Sequence, residues 1–166
     1  MALPATCPVR GRSFMSGNKV FVDTNIIVYA YDRDAGKKYH IASKLVKDLW
    51  HSGLGVLSTQ VLQEFFVTVT NKISSPLDIA KARGIVKNLS KWNIVINDVN
   101  TILAAIEIHD EHKYSFWDSM IIASAVKGGA TMLLSEDLSD NQEIEGLTIS
   151  NPFKISKIDI SKKLPE

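Results

Sequence analysis

Four acidic residues occupy one kind of place in this chain, and their chemistry is the first thing to account for. Asp23 follows the apolar run Val20-Phe21-Val22, and Asp137 follows the apolar run ending at Leu134. Glu64 lies in the early turns of the segment Gln60 to Ile73, and Asp118 opens the apolar segment Met120 to Lys127. Singly, each has an ordinary explanation. Asp and Glu cap orphan N–H groups and complement the dipole in first helical turns, and Asp137 in SEDLSDN fits a turn. Asp23 is the hardest to explain so, because turn chemistry alone does not call for Asp-Thr-Asn after a buried strand. Together, four converging carboxylates repel and raise one another's pKa values. Such a cluster persists when a hard cation neutralises it, and all-oxygen ligation suits Mg2+ or Mn2+ rather than zinc. Two such ions roughly 4 Å apart are the equipment of phosphodiester hydrolysis.

Convergence requires elements that carry all four acids to one edge. Short apolar runs at Val20–Val22, Gly55–Thr59, Asn93–Ile96, Thr131–Leu134 and Leu147–Ser150 read as strands. Helical spacing separates them. Asn25 to Tyr31 turns into a helix after the first strand, and Asp32 to Gly36 is a loop. Tyr39 to Ser52 buries Ile41, Leu45, Val46 and Leu49 and stops at Gly53. Gln60 to Ile73 buries Val61, Leu62, Phe65, Phe66 and Val69, with Thr59 as its cap. Ser75-Pro76 starts a helix running to Lys91 with Ile79, Ala82, Val86 and Leu89 inward. Asp98 caps a helix to about Lys113 with Ile102, Leu103, Ala105 and Ile106 inward. Met120 to Lys127 is apolar nearly all round, as a central buried helix is, and Gly128-Gly129 end it. Strands alternating with helices predict an α/β fold with a mostly parallel sheet covered on both faces. In such a sheet the strand ends and following helix starts share one rim, where ligands bind.

The bulk numbers are consistent with one domain. The chain has 166 residues, 45% hydrophobic and 22% charged, enough to bury a core unaided. Cys7 is the single cysteine, so no internal disulfide forms and a cytoplasmic location is expected. No apolar run is long enough to span a bilayer, and residues 1–18 lack the apolar core of a secretory signal. We divide the chain into a disordered leader or tag-like extension at 1–18, with Met15 as an alternative first residue, a domain at 19–153, and a basic tail at 154–166. Without Arg10 and Arg12 the balance is 17 basic to 18 acidic residues, so nucleic-acid contact must come from local patches.

VFVDTNIIVYAYD, the Glu64 of LQEFFVTVTNK, YSFWDSMIIASA and LLSEDLSDN together resemble the motifs of PIN-domain ribonucleases, in particular VapC-like toxins of type II toxin–antitoxin pairs. The resemblance covers about residues 19–153. It implies a three-layer α/β/α sandwich and a site in which Asp23, Glu64, Asp118 and Asp137 hold Mg2+ or Mn2+. Asn25 would orient the first carboxylate, and Ser135 would be the small hydroxyl before the last acid, where threonine is frequent. Asn141 stands where glycine is frequent. The implied activity is cleavage of single-stranded RNA leaving 5′-phosphate and 3′-hydroxyl ends. A cognate antitoxin and a homodimer are the implied partners, with no membrane.

Other signals are weaker. His109-Asp110-Glu111-His112 lacks the i, i+4 histidine spacing of zinc-protease helices and reads as a solvated helix end. Asp137 to Asn141 is not a calcium loop, since Gln142 and Thr148 replace the required glycine and glutamate. Arg33, Lys37 and Lys38 are candidates to flank the site. Trp117 is a candidate to stack a base, though a core role is the expectation. Trp50, Phe65 and Phe66 read as core or dimer interface. Two other functions compete: a phosphoaspartyl hydrolase of haloacid dehalogenase type with Asp23 as nucleophile, and a non-catalytic interaction module on the PIN fold. The first wants an acid where Asn25 stands. The second gives no reason to keep four repelling acids.

Overall fold

The computed structural model describes residues 17–154. Most of the leader and tail segments, with Cys7, Met15, Arg10 and Arg12, lie outside the described residues. Strand β1 (Lys19–Val22) leads into helices α1 (Thr24–Tyr31) and α2 (Lys37–Ser52), then β2 (Gly55–Ser58), α3 (Thr59–Asn71) and α4 (Ile79–Leu89). Strand β3 (Asn93–Val95) follows, then α5 (Val99–His112), α6 (Phe116–Lys127), β4 (Ala130–Leu134), β5 (Glu143–Ile144) and β6 (Leu147–Ser150). The sheet order is β3-β2-β1-β4-β6-β5. All pairings are parallel except β5 with β6.

This order sets where a ligand can sit. From β1 the chain moves outward to β2 and β3 on one side, then returns to place β4 and β6 on the other. The switch point therefore lies between β1 and β4, whose crevice at the carboxyl ends is the general ligand position in open α/β sheets. Asp23 leaves β1 at that crevice, and its N–H donates to the Leu134 carbonyl at 2.9 Å.

The sheet is the middle of three layers, and its strands read as apolar runs because both faces are covered. Phe21, Val22, Val56, Leu57, Leu133, Leu147 and Ile149 are completely buried, each such side chain stabilising the fold by roughly 1.5–3 kcal/mol. Helices α1, α2 and α3 pack together, as do α5 and α6. Helix α6 is buried from Ser119 to Ala125, as its all-round apolar sequence requires.

Several expectations are corrected. Ser58, not Thr59, caps α3, accepting from the Val61 N–H at 3.3 Å. The Thr59 hydroxyl instead accepts from the Asn97 N–H at 3.3 Å. Helix α4 starts at Ile79 behind the cap Asp78, not at Pro76. The Leu77 N–H donates to the Val69 carbonyl at 2.8 Å, which ties this stretch back to α3 before a helix can begin. Ile79 is consequently exposed at 68%. On α5 the buried residues are Thr101, Ala105 and Ile108, while Ile102, Leu103 and Ile106 face outward. Ile41 is likewise exposed. A 3-10 turn at Arg33–Ala35 replaces the expected loop. Two-residue β5 is too short to carry a signal in sequence. Trp50 and Phe65 are core, and Phe66 is partly buried against it.

Candidate metal centre

Asp23 caps α1 from an extended backbone (φ −70°, ψ 157°). Its carboxylate accepts from the Thr24 N–H at 2.6 Å and from the Ser135 hydroxyl at 2.7 Å, and the residue is 8% exposed. Burial pushes this carboxyl up from 3.8 to about 6. The bonds from Ser135 and Thr24 pull it down, and the charges of Glu64 and Asp137 push it up again. The capping explanation for Asp23 is therefore true but incomplete: a surface cap would not be placed under such a penalty.

The other carboxylates are steered by neighbours of Asp23. The Thr24 hydroxyl donates to Glu64 Oε2 at 2.8 Å, and Gln60 Nε2 donates to Glu64 Oε1 at 2.8 Å. Both oxygens of Glu64 are thus oriented. Asn25 Nδ2 donates to Asp137 Oδ2, so Asn25 orients the last acid rather than the first. Ser135 is completely buried. Its hydroxyl donates a hydrogen bond to Asp23 and accepts from the N–H groups of Asp137 and Leu138, each at 3.3 Å. One hydroxyl hence links the first acid to the turn carrying the fourth.

Asp118 approaches from the start of α6. Ser115 caps that helix, accepting from the Asp118 N–H at 3.1 Å and donating to Asp118 Oδ2 at 2.6 Å. Gln60 Nε2 reaches the carbonyl of the preceding Trp117 at 3.4 Å, which ties α6 to the helix bearing Glu64. Asp23, Glu64 and Asp137 are thus brought together through Thr24, Asn25 and Ser135, while Gln60 ties only the backbone before Asp118 to α3 and the Asp118 carboxylate is held by Ser115. The four do not close into a tight cage. Among the described residues, the ligand atoms that gather three together within 4.8 Å belong to Glu111, His112 and Glu145, at the end of α5 and the β5–β6 turn. The end of the His-Asp-Glu-His stretch set aside in sequence thus lies beside Glu145.

The donor set fits a hard divalent cation. All four side chains offer oxygen, and the buried, mutually repelling carboxyl of Asp23 is the group a cation would return to its charged form. Thr24, Gln60, Tyr29 and Glu136, none of them singled out in sequence as site residues, complete the arrangement. Gln60 was detectable as the i−4 neighbour of Glu64. Glu136 accepts from Lys38 Nζ and, at 2.8 Å, from the Tyr29 hydroxyl. Lys38 also lies 4.7 Å from the centre of the Tyr29 ring and 5.5 Å from that of Phe153. Burial pushes Glu136 up, but the bonds from Lys38 and Tyr29 outweigh it and hold the carboxyl below its ordinary range. Lys38 lies in the first turn of α2, and Trp117 is 64% exposed rather than core.

A family model described as PIN domain matches residues 20–139. Three solved structures share the fold. A toxin–antitoxin complex from Klebsiella pneumoniae is 18% identical, with a TM-score of 0.62 over 82% of this chain and 100% of that one. Mycobacterium tuberculosis VapC20, described as a sarcin-ricin loop cleaving toxin, is 20% identical, with a TM-score of 0.53 over 69% and 87%. VapBC2 from Rickettsia felis, bound to a DNA fragment from its promoter, is 20% identical, with a TM-score of 0.52 over 80% and 97%. No match was found among curated proteins.

Proposed function

The chain belongs to the PIN domain family, and from that premise we propose that it is an endoribonuclease, dependent on Mg2+ or Mn2+, that hydrolyses phosphodiester bonds of single-stranded RNA. The observation that carries this reading is Asp23: a buried carboxyl at the switch point of the sheet, pushed up to about 6 with Glu64 and Asp137 beside it. Asp23, Glu64, Asp118 and Asp137 would hold the ion. When bound, it supplies Lewis-acid polarisation of the phosphate and a water acidified for in-line attack.

The protein's own contribution is orientation. The Thr24 N–H and Ser135 hydroxyl fix the Asp23 carboxylate, Thr24 and Gln60 fix Glu64, and Asn25 fixes Asp137. Groups so positioned need no reorganisation during reaction.

The biological role we infer is that of the toxin in a toxin–antitoxin pair, supported by fold likeness to a toxin–antitoxin complex and to VapC20. A cognate antitoxin is then a partner, and a cytoplasmic location follows. A homodimer is the expected assembly. The outward apolar stripe of α5, with Val99, Leu103 and Ile106 at 69%, 53% and 47% exposure, offers surface a second copy can cover.

The test is cleavage of total RNA with mapping of the new ends. Wild type with Mg2+ should release 5′-phosphate and 3′-hydroxyl ends, and EDTA or Asp23→Asn should reduce cleavage by about 10²-fold or more. Cleavage that persists in EDTA or in Asp23→Asn refutes the proposal.

A further inference from the structure

We propose that Trp117 is the surface on which a nucleobase flanking the scissile phosphate stacks, so that single-stranded RNA is held by base contact as well as by charge. This rests on the ribonuclease reading above. Trp117 is 64% exposed, whereas Trp50 is 5% exposed and Trp92 is packed against the core. An indole left in water forgoes one of the largest burial gains any side chain offers, so its position next to Asp118 calls for an occupant.

The position is also fixed. Trp117 is in the first turn of α6, immediately before the buried stretch Ser119 to Ala125. Its ring meets Phe116 edge-on at 5.3 Å and 68°. Its carbonyl accepts from Gln60 Nε2, and the same nitrogen donates to Glu64. The backbone at Trp117 is therefore registered to Glu64 through one side chain.

Electrostatics favour such a contact. Phosphate binding ordinarily draws on free Lys and Arg, but this site is lined by acids, and the nearby Lys38 ammonium is taken by Glu136. Stacking needs no charge and accepts every base. The occupant follows from the adjoining carboxylates: a strand whose phosphate is presented to Asp118 carries its base past Trp117.

The test separates this inference from the nuclease reading. A short oligoadenylate, or the same sugar–phosphate chain without bases, is titrated with Mg2+ into the full-length Asp23→Asn protein while tryptophan fluorescence is followed. The base-bearing strand should quench emission and bind roughly 5- to 100-fold tighter than the abasic one. Adding Trp117→Ala should abolish both the quench and the preference, and Trp117→Phe should keep part of the preference. In the cleavage-competent protein, Trp117→Ala should raise KM for RNA by a similar factor and leave kcat within about two-fold. Equal binding of the two strands, no binding of either, or a preference that survives Trp117→Ala overturns the inference. A Trp117 serving a protein partner instead would give the first of these results. Base-dependent quenching by a protein whose wild type cleaves no RNA would uphold stacking and remove the nuclease reading.

Discussion

At the scale of single residues the site is governed by Asp23. Its folded carboxyl titrates near 6 against 3.8 for the free group, so in metal-free protein ionising it opposes folding. Below about pH 4 the group is protonated in both states and the fold keeps this stability in full. As pH rises to 6 the stability is lost, by about 2–3 kcal/mol in all, and the loss persists above. Thermal melts in EDTA should show that decline between pH 4 and 6, and Asp23→Asn should flatten it and melt higher at pH 7. A metal-free wild type that grows more stable over that window would contradict the assignment. The types of the four acids and their places after strands or at helix starts were legible in sequence. Asn25 and Ser135 were legible as supporting groups through the family resemblance, and Gln60 through its i−4 spacing from Glu64, but the partner each one takes was not. Thr24, Gln60 and Ser135 make contacts spanning 40, 57 and 112 residues, which local pattern does not encode.

At the scale of elements, the loop carrying Ser135 and Asp137 is held by a latch of Glu136, Lys38 and Tyr29 joining it to α1 and α2. Lys38→Met leaves Glu136 with the tyrosine bond alone. The side chains of Lys38 and Glu136 are 39% and 23% exposed, so solvent screening limits the stability loss to about 1 kcal/mol. The same change should raise the Glu136 carboxyl toward its ordinary range and weaken divalent-metal binding several-fold, which metal titration of the folded variant checks. Unchanged metal affinity would show that the latch does not position Asp137. Strands and long amphipathic helices were readable because burial imposes their periodicity. The start of α4 was not, since the Pro76 signal competes with the Leu77–Val69 bond and the stronger cap Asp78. On α5 two apolar stripes coexist, and periodicity does not say which one α6 takes.

At the scale of the whole molecule, parallel order around β1 delivers Asp23 and the β4 turn to one crevice, with α3 and α6 joining from the sides. The parallel character of the sheet follows from alternating strands and helices, which is why the fold class was legible when the strand order and the pairwise contacts were not. The outward stripe of α5 gives a prediction at this scale. Wild type should elute as a dimer with a mass measured by light scattering, and Leu103→Lys with Ile106→Lys should yield a folded monomer. A monomeric wild type would sever the stripe from assembly. The described residues contain no helix long and apolar enough to cross a membrane.

The central claim is that acids distant in sequence share one divalent ion, and calorimetric titration of Mn2+ into metal-free protein tests it most directly. Wild type should bind saturably, with affinity falling by about ten-fold or more in each of Asp23→Asn, Glu64→Gln and Asp118→Asn. Binding that is absent in wild type, or equal in wild type and all three variants, would contradict the account.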